Sequence, residues 1–231
     1  MKLLGIDTAT LIAGLAIVDD DSVTAEARHD SSGRTSDLLV AIDRMCRDAG
    51  VAPNELDAIA IGAGPGSFTG LRIGMATAKG IAFAARRPLW AVSSLAALAF
   101  DGFAEAPSAP VVVAALDARK TEVFAGCYRR DGSLIGSERV MPPGELMTWV
   151  ADLGEPDPTF AGDAMAAYPE LLQGLASRWL RAATPSGTAV AKLALAGARV
   201  DVLTSGTPTY IRPSEAEVKY PDGVPGALRR R

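Results

Sequence analysis

"VVVAALDARKTEVFAGCYRRDGSLIGSERV", residues 111–140, restarts a pattern that opens the chain. It reads as an apolar strand, an Asp-led turn at Asp117, a second strand, an Asp131-Gly132 hairpin and a third strand. The N-terminus runs in the same order. Lys2 to Ile6 is a strand, Asp7-Thr8-Ala9-Thr10 a turn, Ala13 to Val18 a strand, Asp19-Asp20-Asp21 a hairpin and Val23 to Arg28 a third strand. Laying Asp117 over Asp7 matches turn to turn and hairpin to hairpin, so one unit is used twice.

Working outward, the first unit continues with a helix over 36–49, a strand over 57–62, a helix over 69–85, a strand over 88–92 and a helix from Ser93 to Phe103. "EAPSAP", 105–110, has two prolines and no periodicity and reads as a linker. After Val140 the pattern predicts a helix over 143–153, a short strand over 159–162, helices over 164–177 and 187–200, and an irregular tail. The expected domains are therefore 1–104, the linker 105–110, and a reduced second unit, 111–231.

With 231 residues, 48% of them hydrophobic, the chain can bury a core without staples. Its net charge of −4 argues against gripping nucleic acid alone, because phosphate contacts need a basic face. The terminal Arg229-Arg230-Arg231 reads as a solvated tail. Cys46 continues the helical stripe Leu38, Leu39, Ile42, Met45, and Cys127 alternates with Ala125 and Val123 along a strand. Both cysteines read as buried packing residues, which suits a reducing cytoplasm. Asp7 interrupts the apolar start and no run of eighteen apolar residues follows, so neither a secretory leader nor a membrane span is expected.

"IGAGPGSFTGLRIGMATAKG", 61–80, follows the strand at 57–62. Gly62, Gly64, Pro65 and Gly66 specify a hard turn, and Ser67 and Thr69 can cap the helix beyond Gly70. The familiar nucleotide loops do not fit. GxGxxG finds Ser67 and Thr69 where its third glycine belongs, a Walker loop finds Ala78 before Lys79, and GxSxG finds Pro65 and Thr69. The turn either binds an anion or only joins strand to helix.

Two such units, each opened by a strand ending in an Asp-led turn, resemble the plan of the actin, hexokinase and Hsp70 superfamily. The expected fold class is thus α/β, two duplicated actin-like (ASKHA, ribonuclease H-like) subdomains with mixed sheets, the second reduced. In that superfamily the nucleotide lies between the halves, its phosphates and metal facing the two turns. The resemblance makes Asp7, Thr8 and Thr10 a vestigial phosphate turn.

Together, "LLGIDTAT", "AIAIGAGPGSFTGLRIGMATAKGIA", "VSSLAALA" and "LDARKTEVFAG" resemble the TsaB (YeaZ) family over residues 2–130, with a weaker echo at "PTYIRP", 208–213. The resemblance implies a non-catalytic subunit of the bacterial machinery that adds threonylcarbamoyl to the adenosine beside the tRNA anticodon. It implies a TsaD-like catalytic partner that carries ATP and metal, a TsaE-like ATPase, a homodimer in isolation, tRNA contact only through the complex, and no cofactor of its own. Many relatives carry histidine before the first helix, where this chain has Arg34-Thr35-Ser36.

In the helix after Gly70, the residues Gly74, Thr77, Ala78 and Ile81 share one face and are mostly small. That face packs either on the protein's own sheet or on another helix. The resemblance implies the second, with Leu38, Leu39, Ile42 and Met45 on the same surface and Arg72 offered to a partner's carboxylate. The rival reading is a small-molecule kinase or ATPase, but "AKLALAGARVD" supplies only Gly197 for an adenosine loop. A glycoprotease-like peptidase would need a nucleophile with a base, or a metal-bound water, and the chain holds one histidine, His29.

Overall fold

The computed structural model of the chain describes residues 1–30, 37–155 and 157–212. The first repeat runs β1 (Lys2–Asp7), β2 (Ile12–Asp19), β3 (Ser22–Asp30), α1 (Asp37–Asp48), β4 (Ala58–Gly62), α2 (Phe68–Ala85), β5 (Leu89–Val92) and α3 (Ser94–Glu105). The second runs β6 (Val111–Arg119), β7 (Glu122–Arg129), β8 (Leu134–Met141), α4 (Leu146–Asp152) and β9 (Thr159–Ala161). Two single-turn helices, α5 (Ala164–Ala167) and α6 (Pro169–Leu172), follow, then α7 (Gly187–Leu195) and β10 (Val200–Asp201).

The duplication is visible in the sheets. One has the order β10-β5-β4-β1-β2-β3 and the other β8-β7-β6-β9. In each, three antiparallel strands are followed by one lying parallel beside the first, β4 on β1 and β9 on β6. A remnant of the fifth strand survives in the second sheet. Trp179 bridges Phe160 in parallel, and the Leu180 N–H donates to the Phe160 carbonyl at 2.7 Å. The expected continuous helix at 164–177 is broken here, because Pro169 lacks the N–H that a helix interior requires.

Alternation along the strands explains the layering. Leu4, Ile6, Leu15, Ile17, Ile59 and Ile61 face one way, onto α1 and α2. Leu3, Ala16, Val18, Ala58 and Ala60 face the other way, onto α7. On the second sheet Val112, Ala114, Leu116 and Phe124 pack on Leu95, Leu98 and Ala99 of α3, while Val111, Val113, Val123 and Cys127 pack outward on α4. Both cysteines are buried as expected. The last helix of each repeat thus covers the other repeat's sheet.

This exchange corrects the expected domain limits. Residues 187–201 pack with the first sheet, α7 on its inner face and β10 as its edge, although the sequence pattern assigns 111–231 to the second unit. Small residues make the approach possible. A Cβ on Gly5 would lie 2.0 Å from the Gly187 carbonyl oxygen, and one on Gly14 would lie 2.4 Å from that of Pro185. Polar contacts then fix the helix. Ser186 caps α7, its N–H and hydroxyl donate to Asp101 of α3, and Arg28 of β3 donates to the Thr184 and Pro185 carbonyls. α7 ends at Leu195 rather than 200, and residues 202–212, the part of the tail that is described, form neither helix nor strand.

Candidate functional site

Asp7 ends β1 and is buried. Its carboxylate accepts the Ala9 N–H at 2.8 Å and the Ser94 hydroxyl at 2.6 Å, and that hydroxyl accepts the Gly64 N–H. The glycine-rich stretch lies directly against Asp7, Thr8 and one side of Ala9. A Cβ on Gly62 would lie 1.8 Å from Asp7 Oδ2, on Gly66 2.5 Å from Ala9, on Gly70 2.3 Å from the Thr8 carbonyl oxygen, and on Gly74 2.1 Å from Thr8 Oγ1. The glycines at 62, 66, 70 and 74 therefore serve one purpose, which is to let β4, the loop and the first turns of α2 lie directly on the Asp7–Thr10 turn. Thr8, Ala9 and Thr10 are buried as a result, and Thr8 Oγ1 has no hydrogen-bond partner among the described residues. Pro65 follows a cis peptide bond, and Ser67 caps α2 by accepting the Gly70 N–H, while Thr69 lies within its first turn.

Burial pushes the Asp7 carboxyl up from 3.8 to about 6, against the opposing effect of its hydrogen bonds to Ser94 and Ala9. A carboxyl raised by folding contributes stability that is fully present below its unfolded pKa of 3.8 and is lost as pH rises through about 6. An Asp7→Asn variant lacks this contribution. Between pH 7 and pH 4 the wild type should gain stability relative to the variant, read from urea midpoints at each pH. Parallel curves would mean that folding leaves the Asp7 carboxyl at its ordinary pKa.

The second Asp-led turn is also satisfied internally. Asp117 accepts the Arg119 N–H and the Tyr168 hydroxyl, pairs with the Arg119 guanidinium at 3.0 Å, and donates its own N–H to Asp163. Burial raises Asp163 to about 6. Arg119, Lys120 and Thr121 all have positive φ, 63°, 56° and 57°, in the tight turn between β6 and β7.

Between the two turns lies a cavity of about 810 Å³. Its third wall is the segment 209–212, which crosses from one lobe to the other. The Thr209 N–H donates to the Ala63 carbonyl at 2.7 Å, the Tyr210 ring lies 5.2 Å from that of Phe68, and Arg212 pairs with Glu122 at 2.8 Å. The "PTYIRP" echo marks this segment, but nothing in its composition reveals where it docks. Among the described residues there is no cluster of three or more His, Cys, Asp or Glu able to hold a metal ion, and His29 lies on β3 at the sheet edge. Among them, too, no helix is long and apolar enough to cross a membrane.

The expected partner face needs correction residue by residue. Leu38, Ile42, Met45, Gly74 and Ala78 are buried in the protein's own core, and Thr77 and Ile81 are half-buried. Periodicity identifies residues that share a face, but not which face of the helix meets the sheet. The outward stripe of α2 is instead Ala76, Gly80, Phe83 and Ala84, with Phe83 81% exposed, and α1 exposes Leu39 and Val40. Arg72 stacks 3.8 Å over Phe68, donates to the Tyr210 hydroxyl and lines the cavity. Arg34-Thr35-Ser36 and Arg229–Arg231 lie outside the described residues.

A family model described as TsaD, tRNA N6-adenosine threonylcarbamoyltransferase, matches residues 31–220. The tRNA threonylcarbamoyladenosine biosynthesis protein TsaB of Bacillus subtilis (strain 168) is 29% identical over 234 residues, 95% of this chain and 98% of that protein. The TsaB protein of Escherichia coli (strain K12) is 37% identical over 131 residues, 57% of this chain and 56% of its own length. The solved structure of YeaZ from Pseudomonas aeruginosa superposes with a TM-score of 0.75 at 32% identity, covering 90% of this chain and all of that one (100%).

Proposed function

Because the chain belongs to the TsaB (YeaZ) family, we propose that it takes part in tRNA threonylcarbamoyladenosine biosynthesis as a non-catalytic scaffold and activator. A TsaD-like catalytic subunit supplies ATP and metal chemistry, a TsaE-like ATPase joins the pair, and the isolated chain dimerises in the cytoplasm. The observation that carries this reading is the closed Asp7–Thr10 turn. Its Ala9 N–H is taken by Asp7, and Gly66, Gly70 and Gly74 lie directly against Thr8 and Ala9. A phosphate would have to displace the chain's own backbone from the turn.

The surface left for partners is the outward stripe of α2 with Leu39 and Val40, where small residues permit close approach and Phe83 supplies an exposed apolar anchor. Net negative charge leaves tRNA to the assembled complex.

Reconstitution tests this. The purified chain alone should release phosphate from ATP only at background and leave tRNA unshifted at moderate salt, yet stimulate threonylcarbamoylation when mixed with a TsaD-like subunit. Turnover that survives repurification and disappears in Asp7→Ala would replace the scaffold reading with the kinase one.

A further inference from the structure

We propose that the cavity between the lobes is a binding site for a small organic anion, a phosphate or carboxylate on an apolar body, with Arg72 as the group that binds the anion. This goes beyond the scaffold reading and does not rest on it.

Four cationic side chains from three distant stretches of chain line the cavity: Arg72 of α2, Arg119 and Lys120 of the β6–β7 turn, and Arg212 of the crossing segment. Asp117 and Asp163 are the acidic residues among its lining. On a chain of net charge −4, this concentration of positive charge runs against the overall balance.

The four are not equivalent. Arg119 is paired with Asp117 and Arg212 with Glu122. Arg72 has no carboxylate partner among the described residues and is held instead by the Phe68 ring, 3.8 Å away, and the Tyr210 hydroxyl, 3.1 Å from Nε. An arginine oriented by a ring and a hydroxyl keeps its charge uncompensated and its remaining N–H groups available in a fixed plane, which suits bidentate binding of a phosphate or carboxylate. The rest of the lining supplies the apolar seat: Leu11, Pro65, Phe124 and Ile211. A volume of about 810 Å³ fits a small molecule rather than a bare inorganic ion.

The segment 209–212 positions this site. Gly64, at φ 104°, lets the chain pass close enough for the Thr209 N–H to bond Ala63, since a Cβ there would lie 2.9 Å from the Thr209 carbonyl oxygen. That contact places Tyr210 against both Phe68 and Arg72. The anion seat is thus built from side chains of both lobes and the crossing segment, beside the Asp7 turn, whose Ala9 and Thr10 also line the cavity.

Isothermal titration of the full chain with phenyl phosphate, citrate and pyrophosphate, with benzyl alcohol as the uncharged control, tests the assignment. Phenyl phosphate or citrate should bind saturably at one site, and benzyl alcohol should not. Arg72→Met should weaken binding about tenfold or more, and Tyr210→Phe, which keeps the ring and loses the hydrogen bond, only a few-fold. Circular dichroism and unfolding midpoints establish that the variants are folded. Amide NMR on the wild type provides a readout without substitution, with ligand-induced shifts expected at 66–69, 119–120 and 209–211. Absence of saturable binding by all three anions at millimolar concentration, undiminished affinity in folded Arg72→Met, or shifts confined to other regions would each overturn the proposal.

Discussion

Ala78→Glu is expected to leave the protein unfolded or insoluble, while Gly80→Glu, two residues along the same helix, is expected to leave it folded and unable to stimulate its partner. Ala78 is fully buried, in a cluster with Ile59, Ile61 and Ala82. A carboxylate there would be buried among apolar side chains, and an unpaired buried charge costs several kcal/mol. That is a large part of the ~5–15 kcal/mol by which a domain is stable. Gly80 is exposed, and a Cβ built on it meets nothing within 4 Å among the described residues. Replacing it removes a glycine penalty of up to ~1 kcal/mol from the helix interior, so stability should hold or rise. Its side chain then projects a charge from the proposed partner face. Far-UV circular dichroism and urea unfolding, followed by a threonylcarbamoylation assay with a TsaD-like subunit, separate the two outcomes. A folded Ala78→Glu would mean that the inner face of α2 can leave the sheet; a fully active Gly80→Glu would move the partner face elsewhere.

The second large effect is expected at Gly187. A Cβ there would lie 2.3 Å from the Ala16 nitrogen, 2.4 Å from the Leu15 carbonyl carbon and 2.7 Å from the Gly5 carbonyl oxygen. All three are backbone atoms of paired central strands, so no flexible side chain can move aside. Gly187→Val should push α7 off the sheet and destabilise the protein by roughly 3 kcal/mol or more, at the upper end of overpacking effects. Because α7 and α3 lie side by side between the two sheets, the loss should be cooperative, with both lobes melting in one transition. Phe83→Ala, at an exposed site, is the control, with an expected change within ~0.5 kcal/mol. A Gly187→Val protein of wild-type stability would show that α7 is not packed as described.

The duplicated plan was legible in the sequence because strand alternation and Asp- or Gly-led turns are local signals. Asp7 and Asp117, the three strands after each start, and the burial of Cys46 and Cys127 followed from period-2 and period-3.6 patterns alone. The glycine stretch was legible as a turn, but its purpose was not. What the glycines at 62, 66, 70 and 74 accommodate is Asp7, Thr8 and Ala9, more than fifty residues earlier in the chain.

Three matters were decided only by tertiary structure. The small stripe Gly74–Ala78 turned inward because the Thr8 side chain and the sheet occupy that side, which helical spacing cannot report. Residues 187–201 joined the first sheet rather than the second, since an apolar helix carries no mark of the sheet it will cover until Gly5, Gly14 and Gly187 are brought face to face. Arg72 turned to the cavity because Tyr210, 138 positions away, supplies the ring and hydroxyl that hold it there. The sequence by itself determined the repeat, its strands and its turns, all written in neighbours along the chain. Which surfaces meet was left to the close approach of backbones, a property of pairs of segments that no single segment encodes.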